Sequence, residues 1–234
     1  MSDPAEVIRD NLARIRERIA EAAQRAGREP SEITLVGVSK YVDAAMTRLL
    51  LDAGCADLGE SRPQQLWQKA EDAAFADAEP RWHMIGHLQR NKVARTLPLV
   101  TLTHGVDSER LLTAIGNAAS PEQPARVLLE VNTSGDAEKH GFAADQVRDL
   151  ASRLEAFANS RVCGLMTMAA REGGETVARQ NFADLRDLRD ELQPQLPGLA
   201  ELSMGMSGDY EAAIAEGATI VRIGSVLWEG IAGE

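Results

Sequence analysis

Apolar and polar positions along the chain alternate between two rhythms. The first is helical. Ile8, Leu12, Ile15 and Ile19 recur at spacings of four, three and four and mark one apolar helix face. Asp3-Pro4-Ala5-Glu6 supplies an N-cap, a first-turn proline and a capping-box glutamate, and Gly27 is a stop. The second rhythm is a set of short apolar runs bounded by turn residues, which read as buried strands at 33–38, 57–59, 82–85, 99–102, 126–131, 162–168, 201–204 and 220–223. Helical patterns separate them. They lie at 43–53, from a cap at Ser61 to about Ala74, at 90–96 and at 108–118. A further helix is built on Val147, Leu150, Leu154 and Phe157, and another on Phe182, Leu185, Leu188 and Leu192. The last patterns are a helix at 209–216 and a final turn or short helix at 226–231.

Eight strand–helix pairs after one extra helix imply parallel strands with helical crossovers. The expected architecture is a single (β/α)8 TIM-type barrel spanning 1–234, with the helix of 1–28 packed on it. An open doubly wound sheet is the alternative. No linker rich in Pro, Gly or Ser divides the chain, and no repeat or low-complexity tract interrupts it.

Composition narrows the function. The 234 residues are 44% hydrophobic and 26% charged, ordinary for a globular chain, but only 4% aromatic, so Leu, Val, Ile, Met and Ala must fill the core. A net charge of −11 opposes binding to nucleic-acid backbones and requires any anionic ligand to find a local positive pocket. Cys55 and Cys163 share no metal-ligand spacing and read as small buried hydrophobes in a reducing, cytoplasmic setting. No signal pattern or membrane-length apolar run is present.

In a barrel of this kind, chemistry sits where strands end and βα loops begin. Lys40 directly follows the first strand, where a desolvated amine is free to attack an aldehyde; a solvated surface lysine is the plainer reading. Ser203-Met204-Gly205-Met206-Ser207-Gly208-Asp209 follows the seventh strand, and Arg222-Ile223-Gly224-Ser225 closes the eighth. Loops seven and eight of barrels often hold phosphate, through glycines that admit close backbone approach and serine hydroxyls that donate. Arg222 lies between apolar neighbours and requires either a ligand or a carboxylate such as Glu130, Glu201 or Glu229. His83 reads as a packed or hydrogen-bonded histidine and His140 as loop. His104, at the end of the fourth strand, divides evenly between a role in the site and a structural one. No carboxylate or cysteine stands near His83 and His87 at metal-ligand spacing.

Five segments in this order carry a resemblance: Val36-Gly37-Val38-Ser39-Lys40, the run from Trp82 through His83, His87 and Gln89 to Lys92, Val162-Cys163-Gly164-Leu165-Met166-Thr167-Met168, Leu202-Ser203-Met204-Gly205-Met206-Ser207-Gly208-Asp209, and Val221-Arg222-Ile223-Gly224-Ser225. Together they resemble the YggS/PROSC family of pyridoxal 5′-phosphate (PLP) homeostasis proteins over essentially the whole chain. The resemblance implies a barrel like the N-terminal domain of alanine racemase and PLP held as a Schiff base on Lys40. It also implies phosphate near Ser203, Ser207, Gly224 and Ser225, with Arg222 near the pyridine ring. It further implies cytoplasmic residence, a monomer, and PLP as the ligand, with apo PLP-dependent enzymes as recipients and neither nucleic acid nor membrane as partner. One position departs: the family commonly has Gly-Glu-Asn after its second strand, whereas this chain has Gly59-Glu60-Ser61, and Ser61 is shorter than the asparagine it replaces.

Three functions follow from these residues. The first is a non-catalytic PLP carrier that buffers or delivers the cofactor. The second is a small PLP-dependent amino-acid racemase, which needs a second acid/base opposite Lys40; Tyr41 and Tyr210 are the tyrosines available, and no length remains after the eighth strand for a second domain. The third is a barrel for another phosphorylated ligand, with Lys40 as a counter-ion.

Overall fold

The computed structural model describes residues 3–136, 140–170 and 172–231. Eight parallel strands close in chain order into one barrel: β1 (Thr34–Val38), β2 (Asp57–Glu60), β3 (Arg81–Met84), β4 (Leu102–Val106), β5 (Ala125–Glu130), β6 (Ser160–Met166), β7 (Glu201–Ser203) and β8 (Ile220–Ile223). Closure runs through β1 and β8, with Thr34 opposite Ile220 and Gly37 opposite Ile223. The helices are α1 (Pro4–Arg25), α2 (Ala44–Asp52), α3 (Pro63–Ala70), α4 (Val93–Thr96), α5 (Glu109–Ala118), α6 (Ala144–Ala151), α7 (Gly174–Leu192) and α8 (Tyr210–Ala215). The expected barrel is therefore the one formed.

Two apolar layers hold it together. A small cluster of Val36, Leu102, Leu128, Cys163, Met166 and Ile220 fills the barrel interior, and a larger one packs the helices around the outside. Phe182, Leu185 and Leu188 bury the inner face of α7 in that outer layer. Helix α1 is capped by Asp3, which accepts from the Ala5 N–H, and Asn11 donates from it to the carbonyls of Leu227 and Glu229 at 3.0 and 2.9 Å. Both cysteines are buried and unbridged, and burial pushes the Cys55 thiol up to about 11. No helix among the described residues is long and apolar enough to cross a membrane.

Three local expectations are corrected, and the expected final turn is found. The fourth strand begins at Leu102, not at 99, because Leu97–Leu99 form a 3-10 turn around Pro98, which has no N–H to give a ladder. Leu154 lies beyond α6 in a separate 3-10 turn with Phe157 at its end, so the face drawn through both is shorter than the periodicity suggests. After β8 the chain makes a 3-10 turn at Ser225–Leu227. Ser61 does not cap α3: Arg62 takes the N-cap position without a side-chain hydrogen bond, and Pro63 starts the helix. Of the loop around His140, Glu138 and Lys139 lie outside the described residues.

Candidate functional site

The C-terminal ends of the strands bring the sequence-predicted residues to one rim. Lys40 sits in the turn two residues after β1, and β1 lies between β2 and β8. A Cβ placed on Gly224 would come 3.4 Å from that of Val38, so the turn after β8 runs beside the end of β1. β7 is the next strand round, and its loop is tied to this turn by the Gly224 N–H, which donates to Ser207 Oγ at 3.1 Å. Gly205 opens the loop with φ +89°, and a Cβ there would meet Ala213 Cβ at 2.6 Å. The loop therefore needs glycine twice over, for its φ and for its contact with α8. Asp209 Oδ1 closes the loop by accepting from the Met206 N–H at 2.6 Å.

Lys40 is only partly buried, between the desolvated amine and the solvated surface lysine that the sequence leaves open. Its Nζ lies 4.7 Å from the ring centroid of Tyr41, which is itself 78% exposed. The turn behind it is rigidly built. Ser39 is fully buried and donates from Oγ to Glu60 Oε1 at 2.9 Å, and Lys69 of α3 donates to the Ser39 carbonyl at 2.7 Å while pairing with Glu60. Burial lowers the Lys69 pKa against the pull of Glu60.

Arg222 is 4% exposed, and both of its described hydrogen bonds go to neutral oxygens: Ser203 Oγ at 2.6 Å and the Thr167 carbonyl at 3.0 Å. Of the two readings the sequence leaves open, a ligand or a carboxylate partner, no carboxylate is among its described hydrogen bonds. Glu201, for example, accepts from Thr219 Oγ1. Burial brings the Arg222 pKa down to about 10, against the opposing pull of Asp209 and Glu130, so the group stays cationic at neutral pH. Ser203 is corrected too. Its hydroxyl is fully buried between Arg222 and His104 Nδ1, 2.8 Å away, and is withdrawn from the phosphate donors assigned to it. Ser207, Gly224 and Ser225 remain at the rim, with Ser225 exposed.

Sequence reasoning missed what lies beneath Arg222. From Ser203 the hydrogen bonds continue through His104 and His83 to Asp57. The sequence leaves His104 undecided between a site role and a structural one because it sets the strand boundary three residues early, which places His104 at a strand end and not inside the barrel. The available signal was polar residues inside apolar strands, at Asp57, His83 and His104 alike.

A cavity of about 700 Å³ opens among the loops after β5, β6 and β7, lined in part by Glu130, Asn132, His140, Met168 and Met206. Glu130 is 8% exposed, and burial, then Asp107, raise its pKa. His87 pairs with Asp107 at 3.0 Å and stacks on His140 with ring centroids 5.6 Å apart. Among the described residues no cluster of His, Cys, Asp and Glu is arranged to hold a metal ion. Tyr210 is buried under Arg18 of α1, whose guanidinium is 5.6 Å from its ring centroid.

Residues 11–230 match the family model of the alanine racemase N-terminal domain. The pyridoxal phosphate homeostasis protein of Aquifex aeolicus is 39% identical over 221 residues, covering 94% of this chain and 96% of its own length. The structure of PipY from Synechococcus elongatus with PLP bound superposes with a TM-score of 0.82 at 32% identity, covering 94% of this chain and 99% of that one. Alanine racemase from Corynebacterium glutamicum shares the fold at 15% identity and a TM-score of 0.67, with 98% of this chain and 62% of that one covered. With the family model covering nearly the whole barrel and a relative 39% identical over 94% of the chain, the chain belongs to the alanine racemase N-terminal domain family, among the pyridoxal phosphate homeostasis proteins.

Proposed function

We propose that this protein holds PLP as an imine on Lys40 and buffers or delivers it, without sustained catalysis of its own. The observation that carries the reading is Arg222, a buried cation at the barrel mouth whose described hydrogen-bond partners are all neutral. A buried charge without a counter-ion is costly, and an anionic or electron-rich ligand at the rim offsets that cost. The donor set fits PLP. Lys40 offers a primary amine, Arg222 a guanidinium for the ring nitrogen, and Ser207, Gly224 and Ser225 hydroxyl and backbone donors for a phosphate. Bound there, the cofactor supplies an aldehyde that condenses with primary amines. The reading is supported by the name of the Aquifex aeolicus relative and by the PLP bound in the Synechococcus elongatus structure.

A cation beside the pyridine nitrogen opposes its protonation and so weakens the ring as an electron sink, which favours storage over carbanion chemistry. Neither tyrosine is set as a second base, since Tyr41 stacks on Lys40 itself and Tyr210 packs under Arg18. Apo PLP-dependent enzymes are the recipients this role implies, with the protein acting as a monomer.

Absorption spectra with added PLP, followed by borohydride reduction and peptide mapping, test the reading in the wild type and in Lys40→Ala. The expected result is an imine band and a pyridoxyl adduct on Lys40, both lost in the variant. Adducts scattered over surface lysines, or no band, would overturn it in favour of another phosphorylated ligand. One observation favours the racemase alternative: Glu130 has a raised pKa and lines the mouth cavity, as an acid/base group would. Wash-out of α-deuterium from an amino acid, abolished by Glu130→Gln, would establish that second activity.

A further inference from the structure

We infer that Asp57, His83 and His104 are positioning residues for Arg222, joined to it through Ser203 in one directed line of hydrogen bonds across the barrel interior; this rests on Arg222 being the cofactor's ring partner. The links are Arg222 Nη1 to Ser203 Oγ at 2.6 Å, Ser203 Oγ to His104 Nδ1 at 2.8 Å, His104 Nε2 to His83 Nδ1 at 2.9 Å, and His83 Nε2 to Asp57 Oδ1 at 3.0 Å. They draw on five strands, β2, β3, β4, β7 and β8, from the first residue of β2 to the mouth end of β8. The two imidazole planes are inclined at 64°, with ring centroids 5.2 Å apart.

Each end fixes the direction. Arg222 can only donate, so Ser203 Oγ accepts from it. The Asp57 carboxylate can only accept, so His83 carries its proton on Nε2. With both rings neutral, His83 Nδ1 accepts from His104 Nε2–H, and His104 Nδ1 accepts the Ser203 hydroxyl proton. Every polar hydrogen of Ser203, His104 and His83 in the line is then used. Reversing any link leaves a donor facing a donor, or strands the Ser203 proton in an interior where Ser203 and His104 have no exposure at all. Burial, and after it the proximity of His83 and of the Arg222 cation, also drives the His104 pKa well below its ordinary value.

This geometry gives Arg222 a rigid seat without placing an anion against it. Its two acceptors, Ser203 Oγ and the Thr167 carbonyl, hold two of the guanidinium nitrogens. The negative charge that polarises the line stands at the opposite end, where Arg81 matches Asp57 with bonds of 2.8 and 2.6 Å. The arginine keeps its positive charge for a lone pair at the mouth. A carboxylate seated directly against it would neutralise that charge.

The first test reads the imidazole tautomers by long-range nitrogen–proton NMR, in the apo protein as well as the loaded one. Both His83 and His104 are expected as neutral Nε2–H tautomers, and an Nδ1–H tautomer or an imidazolium at either ring overturns the directed line. The second uses PLP labelled with nitrogen-15 in its ring, at temperatures well below each variant's melting point. His104→Leu removes both of that ring's hydrogen bonds, to Ser203 and to His83, and about a tenfold faster PLP release is expected from Ser203 losing its buried acceptor. The ring-nitrogen resonance is expected to shift as well. His104→Gln retains an acceptor and a donor and is expected to restore part of both effects. Asp57→Asn acts from the far end, should His104→Leu fail to fold, and is expected to move both readouts in the same direction by a smaller factor. Wild-type release rates and resonances in the variants overturn the positioning role. If the wild type takes no PLP onto Lys40, the proposed function fails instead, and the tautomers still decide whether the line exists.

Discussion

Lys69 Nζ donates to the carbonyl oxygen of Ser39 at 2.7 Å, so a lysine on α3 holds the residue immediately before Lys40. The same ammonium pairs with Glu60, which has no exposure and whose second oxygen finds no partner among the described residues. Removing only the cation leaves a buried carboxylate uncompensated. Lys69→Met is therefore expected to cost about 3–5 kcal/mol of stability. The double variant Lys69→Met/Glu60→Gln is expected to recover most of that loss, because no buried charge then remains. Urea denaturation of the two variants and the wild type checks this. Equal losses in the single and double variants would mean that the pair is not what holds the turn.

Trp228 provides a second brace for the same turn. Its indole N–H donates to the Val38 carbonyl at 2.8 Å, linking the segment after β8 to the last residue of β1. Trp228→Phe keeps most of the buried ring and removes the donor, leaving a buried carbonyl short of a partner. A loss of about 1–3 kcal/mol is expected, together with faster PLP release, since the rim residues at Lys40 and Gly224 are no longer clamped together. Thermal melting and the release rate measure the two effects separately.

The barrel was legible in the sequence because its strands are short apolar runs separated by helices with clear apolar faces. The rim was legible for a different reason: Lys40, Ser207, Gly224 and Ser225 follow strands directly, where a parallel barrel collects its loops. The interior was not legible. Ser203 looks like a loop donor in the sequence, yet its side chain turns inward, because the alternation along a strand depends on where the strand starts and ends. His104 was misplaced for the same reason, through the turn around Pro98. Arg222 was recognised as needing a partner. That the partner would be a line of neutral groups, and not one of three nearby glutamates, depends on which strands face each other across the barrel, and local pattern carries no record of that.

Gly205 allows a sharp test of the β7 loop. A side chain there is opposed by φ +89° and by contacts at 2.6 Å to Ala213 Cβ and 2.9 Å to Tyr210 Cα. Gly205→Ala must strain the backbone or push α8 outward, at an expected cost of about 2 kcal/mol or more. Because the Ser207–Gly224 bond sits in the displaced segment, inorganic phosphate and PLP are both expected to bind more weakly, with the Lys40 imine still forming at high PLP. Titration by absorption and by calorimetry distinguishes this from a loss confined to stability. Unchanged phosphate affinity in a destabilised variant would detach the loop from the anion site.

Asp57 gives the interior line a signature in acid. Burial by itself would raise its pKa, but hydrogen bonds from His83 and Arg81 outweigh that and bring the value down to about 2. An unfolded aspartate titrates near about 3.9, so between the two values the unfolded chain binds the proton that the folded one refuses. Stability from this group is thus fully present above about pH 5 and drains away as the pH falls towards about 2, amounting to roughly 2 kcal/mol. Asp57→Asn removes the titration without removing the side chain's bulk. Plotted against pH, the difference in unfolding free energy between wild type and variant is expected to be level near neutrality and to shrink through this window. A difference that stays constant down to about pH 2 would mean that Asp57 is not held ionised by His83 and Arg81, and the directed line would lose the fixed acceptor at its base.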